Sequence, residues 1–326
     1  MKKLKIFGIF ILFEIIFVPL LSVILIYYGP FVNLKEMIVT TAMTTMRHQY
    51  IATLFLSTAE IDEILEKNRP NQNIEDQKVD DIKVNNNATD GIELIDVSTK
   101  TFKGYLLVVN DPSRVKLATT PRLGKVGATT SQIVEYYDAV AGINAGGFAD
   151  DALGTGGKPS GIIISDGKLM TSKTSGRFGI VGLDTSNRMI VSNSMTYKTM
   201  QDKNIRDAVS FGPTIIVNGM PTIRNGSDGG WGIQPRTAIA QKKDGTILLL
   251  VIDGRQADSL GATLKNVQDI FLKYDAYNAF NLDGGASSTM VYNSKLINKP
   301  SDIMGERYVP CAFIVTKPNI DKNKGK

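Results

Sequence analysis

The chain has 326 residues, 43% apolar and 21% charged, with one cysteine, one histidine and a formal net charge of +5 at pH 7. That length suits one large or two average domains with ample core, and a single cysteine excludes an internal disulfide. Taking Lys2, Lys3, Lys5 and Glu14 of the N-terminal run out of the formal +5 leaves +3 on the remainder, too mild and too interspersed with acids to argue for nucleic-acid binding.

Lys2, Lys3 and Lys5 precede an almost unbroken apolar run from Ile6 to Tyr28, long enough to span a bilayer. A cleavable signal peptide is the competing reading, but the run is long for one, and Tyr27-Tyr28-Gly29-Pro30-Phe31 follows instead of a small-residue cleavage site. The reading is an uncleaved single-pass anchor over residues 1–30, with the lysines cytoplasmic and everything beyond residue 30 outside the cell membrane. From Phe31 to Lys67 apolar residues recur at helical spacing and end at Asn68-Arg69-Pro70, which predicts a helical stalk. Met37, Met43 and Met46 pack against the domain, a partner helix or the membrane surface in this reading. Residues 68–91 are rich in Asn, Asp, Gln and Lys and read as a polar linker.

The folded domain is expected over residues 92–316, followed by a solvated tail, 317–326. Short β-branched and apolar runs punctuated by Gly, Asp and Asn predict strands at Gly104 to Val109, Gly161 to Ile164, Phe178 to Leu183 and Thr214 to Val217. Helices are predicted at Thr130 to Tyr137 and at Thr263 to Tyr274, where Leu264, Val267, Phe271 and Leu272 form a stripe. Cys311 lies in an apolar run and reads as a core residue. The fold class is α+β: a mixed, sheet-rich single catalytic domain with a few packed helices, preceded by the transmembrane helix and stalk.

Two apolar runs end in Asp-Gly: Leu248-Leu249-Leu250-Val251-Ile252-Asp253-Gly254-Arg255, and Tyr277 through Leu282-Asp283-Gly284-Gly285-Ala286-Ser287-Ser288-Thr289-Met290. Each delivers a carboxylate to the C-terminal end of a strand, where glycine lets a ligand approach the backbone. The competing reading is two ordinary Asp-Gly turns. Other motifs fall away. Gly154-Thr155-Gly156-Gly157-Lys158-Pro159-Ser160 lacks the first glycine of a phosphate loop and carries Pro159 after its lysine. The sole histidine, His48, lies in the stalk, which removes a Ser-His-Asp site and the usual zinc ligands.

The remaining chemistry belongs to carboxylates, arginines, amides and hydroxyls, a set that suits a substrate carrying both phosphate and sugar. Asp253 and Asp283 are candidates for base or nucleophile, and Arg236 and Arg255 for holding a phosphate. Backbone amides after Asp283, with Ser287, Ser288 and Thr289 behind them, are expected to form an anion nest. Asn144, at the end of another apolar run, is either a ligand or a turn-former. No cofactor is indicated. A divalent ion bridging the aspartates fits the oxygen-rich turns, but these lack calcium-loop spacing.

Five segments, in this order, resemble the motifs of the phosphodiester glycosidase family: Gly142 to Phe148; Phe211-Gly212-Pro213-Thr214 with Val217-Asn218-Gly219; Gln234-Pro235-Arg236-Thr237-Ala238; Val251 to Arg255; and Asn281 to Met290. Glu306-Arg307 with Val309-Pro310 resembles the closing motif, with Tyr308 intruding, and Ala286 replaces a common glycine. The resemblance covers residues 92–316 and implies hydrolysis of a sugar-1-phosphodiester at the sugar carbon. It implies catalytic roles for Asp283, Asp253, Arg236 and Arg255. It implies substrate contacts from Asn144, Gly146, Gly147, Thr237, Asn281, Gly284, Gly285, Ser287, Ser288, Glu306 and Arg307. With the anchor, the expected partner is a phosphodiester-linked glycan of the envelope or an exported polysaccharide. The alternatives are a non-catalytic glycan-binding or exopolysaccharide-assembly protein, and cleavage on the phosphorus side.

Overall fold

The computed structural model describes residues 2–45, 48–71, 76–85, 91–149 and 154–318. Met46, Asn86, Asn87, Ala152 and the tail from residue 319 lie outside the described residues. The chain divides into two compact units, one of Met1–Arg69 with Gly226–Gly232 and one of Pro70–Asn225 with Ile233–Lys326.

In the first unit, the helix Lys2–Tyr28 contains the 24-residue span Lys5–Tyr28, long and apolar enough to cross a membrane, roughly 36 Å at the α-helical rise. The stalk is helical but is not one rod. Helices Val32–Met43, Tyr50–Thr53 and Thr58–Asn68 fold back so that Tyr27, Val39, Ala42, Ala52, Leu56, Ile61 and Ile64 form a buried cluster. The break is encoded locally: Ser57 and Glu60 make a capping box that starts a new helix. Glu36 accepts from Lys67 and from Asn68 Nδ2, while Thr40 donates to the Asp228 carboxylate.

Among the described residues the second unit has three sheets, with every strand ladder antiparallel. The first runs Ile92–Asp96, Gly104–Val109, Ile247–Ile252, Arg236–Lys242, Ala276–Asn281, Thr214–Val217, Met220–Pro221. The second runs Lys295–Leu296, Met290–Tyr292, Ala141–Asn144, Cys311–Val315, Val115–Thr119. The third runs Lys168–Leu169, Ile163–Ser165, Ile205–Ser210, Phe178–Asp184, Met189–Met195. One apolar core, including Leu107, Leu117, Ile143, Val181, Leu249, Phe280 and Phe313, draws on all three. Ile247–Ile252 is buried at every position, because both of its faces are covered, and hence its sequence is apolar without alternation.

The predicted helices form as Thr130–Tyr136 and Leu264–Lys273, each opened by a capping box, Thr129 with Gln132 and Thr263 with Asn266. Gln268, rather than Leu272, joins the fully buried face of the second. Its amide accepts from Ile223 N at 2.8 Å and donates to Ile223 O at 2.9 Å, so a buried polar group costs little.

The expected polar linker is a correction. Residues 76–85 are bound to the second unit. Gln77 donates to Met189 O (2.6 Å) and accepts from Val191 N (2.9 Å), satisfying a strand edge. Lys78 N donates to Asn218 Oδ1 (2.8 Å), Lys83 N to Lys243 O (2.7 Å), and Tyr277 Oη to Asp81 Oδ2 (2.5 Å). Burial and that last bond push the Tyr277 hydroxyl up to about 12. Ile82 is 2% exposed. The polar side chains here stay largely exposed, while Gln77, the amides of Lys78 and Lys83 and the buried Ile82 fasten the segment to the sheets. Replacing Ile82 with alanine is therefore expected to destabilise the protein by about 2–5 kcal/mol, read as a lowered urea midpoint. An unchanged midpoint would restore the linker reading.

Candidate active site

The two Asp-Gly strand ends meet at one edge of the first sheet. Arg236 pairs with Ile252 and Ala238 with Asn281, so the start of one strand lies between the ends of its two neighbours. Leu282 N then bonds Thr237 O (2.9 Å), Asp283 N bonds Ala145 O (3.0 Å) and Gly285 N bonds Pro235 O (2.9 Å). The chain crosses here from the first sheet to the second, through Leu282 to Thr289. The crossing is tight: a Cβ on Gly284 would stand 2.7 Å from Pro235 O.

Two buried asparagines hold this crossing. Asn144, fully buried, accepts at Oδ1 from Thr237 Oγ1 (2.8 Å) and Thr289 N (3.0 Å), and donates from Nδ2 to Asp283 O (2.6 Å). Asn298 donates to Asp253 Oδ1 (2.8 Å) and Ser288 O (2.9 Å), and accepts from Met290 N (2.7 Å). Asn144 and Thr237, expected to contact substrate, thus act as a bracket behind the loop.

The four candidates for chemistry differ in access. Asp253 is 4% exposed, and its carboxylate accepts from Asn298 and from Lys299 N (3.1 Å). Burial holds its pKa above the ordinary aspartate value, with those two bonds opposing. Arg236 is 2% exposed and its Nε donates to Ala262 O (2.9 Å). Asp283 is half-buried. Arg255 is exposed, with its backbone in the left-handed region at φ 58°. Its Nε and Nη2 both donate to Gln234 Oε1, at 3.0 and 2.5 Å. Nη2 lies 3.4 Å from where a Cβ on Gly285 (φ 59°) would stand. Partial enclosure lowers the Arg255 pKa, yet a guanidinium stays charged at physiological pH.

Most of the amides expected to form the anion nest bond within the protein, Gly285 N to Pro235 O among them. Ser287 N bonds Gly284 O and Ser288 N bonds Gly285 O, both at 3.2 Å, while Thr289 N is taken by Asn144. Closing the short 3-10 turn Gly285–Ser287 and entering the next strand consume these donors. Instead, Asn281 Oδ1 and Ser288 Oγ are buried without a hydrogen-bond partner among the described residues. Groups so placed cost about 1–3 kcal/mol each, a cost that proteins carry at functional sites. Asn281 Nδ2 is fixed on Gly212 O (2.8 Å).

Gly146 N donates to Cys311 Sγ (3.4 Å), whose thiol burial pushes up to about 12, and Gly147 O accepts from Ser160 N (2.9 Å). Glu306 and Arg307 belong to a separate contact set. Glu306 accepts from Ser131 N (3.0 Å) and Oγ (2.5 Å) at the start of helix Thr130–Tyr136, and Arg307 stacks on Phe148 at 4.9 Å. Among the described residues no group of three or more His, Cys, Asp or Glu side chains could hold a metal ion. Sequence reasoning missed Gln234, Asn298 and Lys299. The first stood in a motif already quoted, but long-range partners of an amide leave no periodic signal.

An antiparallel α+β domain with carboxylates, arginines, amides and hydroxyls gathered where a chain crosses between sheets defines the class. A model of the family described as phosphodiester glycosidase matches residues 137–316, over half of the chain, and the chain belongs to that family. The SPbeta prophage-derived uncharacterized protein YomE of Bacillus subtilis (strain 168) is 29% identical over 231 residues, covering 68% of this chain and 34% of that protein. The N-acetylglucosamine-1-phosphodiester alpha-N-acetylglucosaminidase of Bos taurus is 43% identical over 70 residues, covering 22% of this chain and 13% of the enzyme. The chain thus spans about a third of the length of the first relative and an eighth of the second. The zebrafish N-acetylglucosamine-1-phosphodiester alpha-N-acetylglucosaminidase catalytic domain, auto-inhibited by pro-peptide, shares the fold with a TM-score of 0.60 at 23% identity, covering 72% of this chain and 86% of that one.

Two expectations test these placements. Glu306→Ala removes the acceptor at a helix start and lowers stability by about 1 kcal/mol, whereas Glu306→Gln, which keeps one acceptor oxygen, recovers most of that loss in a urea titration. Arg255→Gly relieves a left-handed residue that costs about 1–2 kcal/mol, offset by glycine's own entropy and by a buried Gln234 Oε1 left without its two donors, about 1–3 kcal/mol, so its stability is expected to lie within about 2 kcal/mol of that of the native chain. A midpoint well below that range would mean that Arg255 serves the fold.

Proposed function

We propose that the chain hydrolyses a sugar-1-phosphodiester at the anomeric carbon, releasing the sugar and a phosphate monoester. One observation carries this reading. Arg255 is an exposed guanidinium clamped on one edge and positioned over Gly285, two residues beyond Asp283. An arginine so held binds a phosphate through paired N–H donors. A phosphate is already a good leaving group, so neutralising the charge that develops on it replaces much of the general-acid assistance an ordinary glycoside needs.

Access assigns the two aspartates different work in this reading. Asp283, half-buried at the crossing, activates water or attacks the anomeric carbon. Asp253 holds the Asn298–Lys299 turn and so positions the loop that carries Asp283. Asn281 Oδ1 and Ser288 Oγ are unpartnered among the described residues but sealed from solvent, so in this reading they support the loop and do not meet the substrate. The apolar helix Lys2–Tyr28, with Lys2, Lys3 and Lys5 in its first turn, supports a single-pass anchor with the catalytic unit outside the cell. The substrate is then a phosphodiester-linked glycan of the envelope or an exported polymer.

The full chain, incubated with UDP-N-acetylglucosamine and with envelope polymers in oxygen-18 water, gives the test. Label is expected in the released sugar, and Asp283→Asn is expected to slow turnover by about 10²–10⁴-fold with binding retained. Label in the phosphate would make the protein a phosphodiesterase. Binding without turnover across the panel would make it a glycan-binding protein.

A further inference from the structure

Just before the strand Arg236–Lys242, the backbone of Gln234 bridges to Ala262. Its N–H bonds Ala262 O (3.1 Å) and its carbonyl accepts from Ala262 N (2.9 Å). The side chain, 94% buried, turns its oxygen onto Arg255 Nε and Nη2. Both partners are N–H donors, so the oxygen of the amide must face them. Arg255 Nη1 has no hydrogen-bond partner among the described residues. The identity of the clamp is informative. A carboxylate at this position would form a bidentate ion pair and cancel the charge on Arg255, whereas a neutral amide fixes the direction of the guanidinium and leaves its full charge for a ligand.

We propose that Gln234 is a positioning residue that holds the Arg255 guanidinium over Gly285 and presents its Nη1 edge to a phosphate oxygen of the substrate. This inference rests on the reading of the site as a phosphate-diester site. It assigns to the amide two effects: a fixed direction for the arginine, and preservation of its charge.

The test uses the full chain and inorganic phosphate as probe, followed by calorimetry, beside KM and kcat on the sugar-1-phosphodiester. Gln234→Leu, Gln234→Glu and Arg255→Gly are compared, with urea midpoints for each. The native chain binds phosphate, and Arg255→Gly does not. Gln234→Leu weakens phosphate binding about 10-fold, the loss expected for a hydrogen bond to a charged group. It raises KM in step with little change in kcat, the pattern of lost uniform binding. Gln234→Glu is weak at pH 7 and regains affinity only as the pH falls below about 4.3, the ordinary glutamate value, because the adjacent guanidinium keeps the new carboxyl ionised to lower pH. Phosphate affinity and KM at native values in both Gln234 variants, with both lost in Arg255→Gly, would overturn the role of Gln234 and leave the site reading intact. A native chain that neither binds phosphate nor loses turnover in Arg255→Gly would overturn the site reading and this inference with it.

Discussion

The site depends on one constraint: a loop that leaves the first sheet at Leu282 and joins the second at Met290 must turn without losing its backbone hydrogen bonds. Asn144 and Asn298 meet that need from either side. An asparagine side chain offers a donor and an acceptor in the same geometry as a peptide group, so each substitutes for a missing strand at the crossing. Because both are buried, any group they failed to satisfy would pay full desolvation. The arrangement is held from both sides for that reason, and a fixed backbone is what holding a ligand in one geometry requires.

Given that frame, access to solvent sorts residues that look equivalent in sequence. Asp253 and Asp283 both follow an apolar strand and precede glycine. The first is drawn inward by Asn298 and Lys299, and the second stays at the surface of the crossing. The two arginines divide in the same order along the chain: Arg236 is buried against Ala262 O, and Arg255 is turned outward by a left-handed backbone. A strained residue kept where glycine would be easier, and clamped by a neutral amide, is the pattern of a group maintained for a ligand.

The polar stretch before the domain shows how composition misleads. Asn, Asp, Gln and Lys without large apolar neighbours describe a solvated linker equally well as a strap that docks on the sheets through a few of its groups. Gln77 and Asp81 distinguish the two, and their partners Met189, Val191 and Tyr277 lie more than a hundred residues away. The 31–67 region is a parallel case. Its helical spacing is plain, but spacing does not say whether the helices continue as a rod or turn back on Tyr27.

The sequence by itself determined the features set by local physics. These are the apolar helix, the strands Gly104–Val109 and Thr214–Val217, the capped helix Leu264–Lys273, and the pair of Asp-Gly strand ends that marks the site. Each is written in periodicity, capping residues or turn chemistry within a few neighbours. Tertiary structure alone decided which aspartate stays accessible, that the amides of Ser287, Ser288 and Thr289 are spent inside the loop, and that Gln234 grips Arg255. Those outcomes depend on which backbone groups the sheet crossing leaves unpaired, and hydrogen-bond partners brought together across a hundred residues have no signature in local pattern.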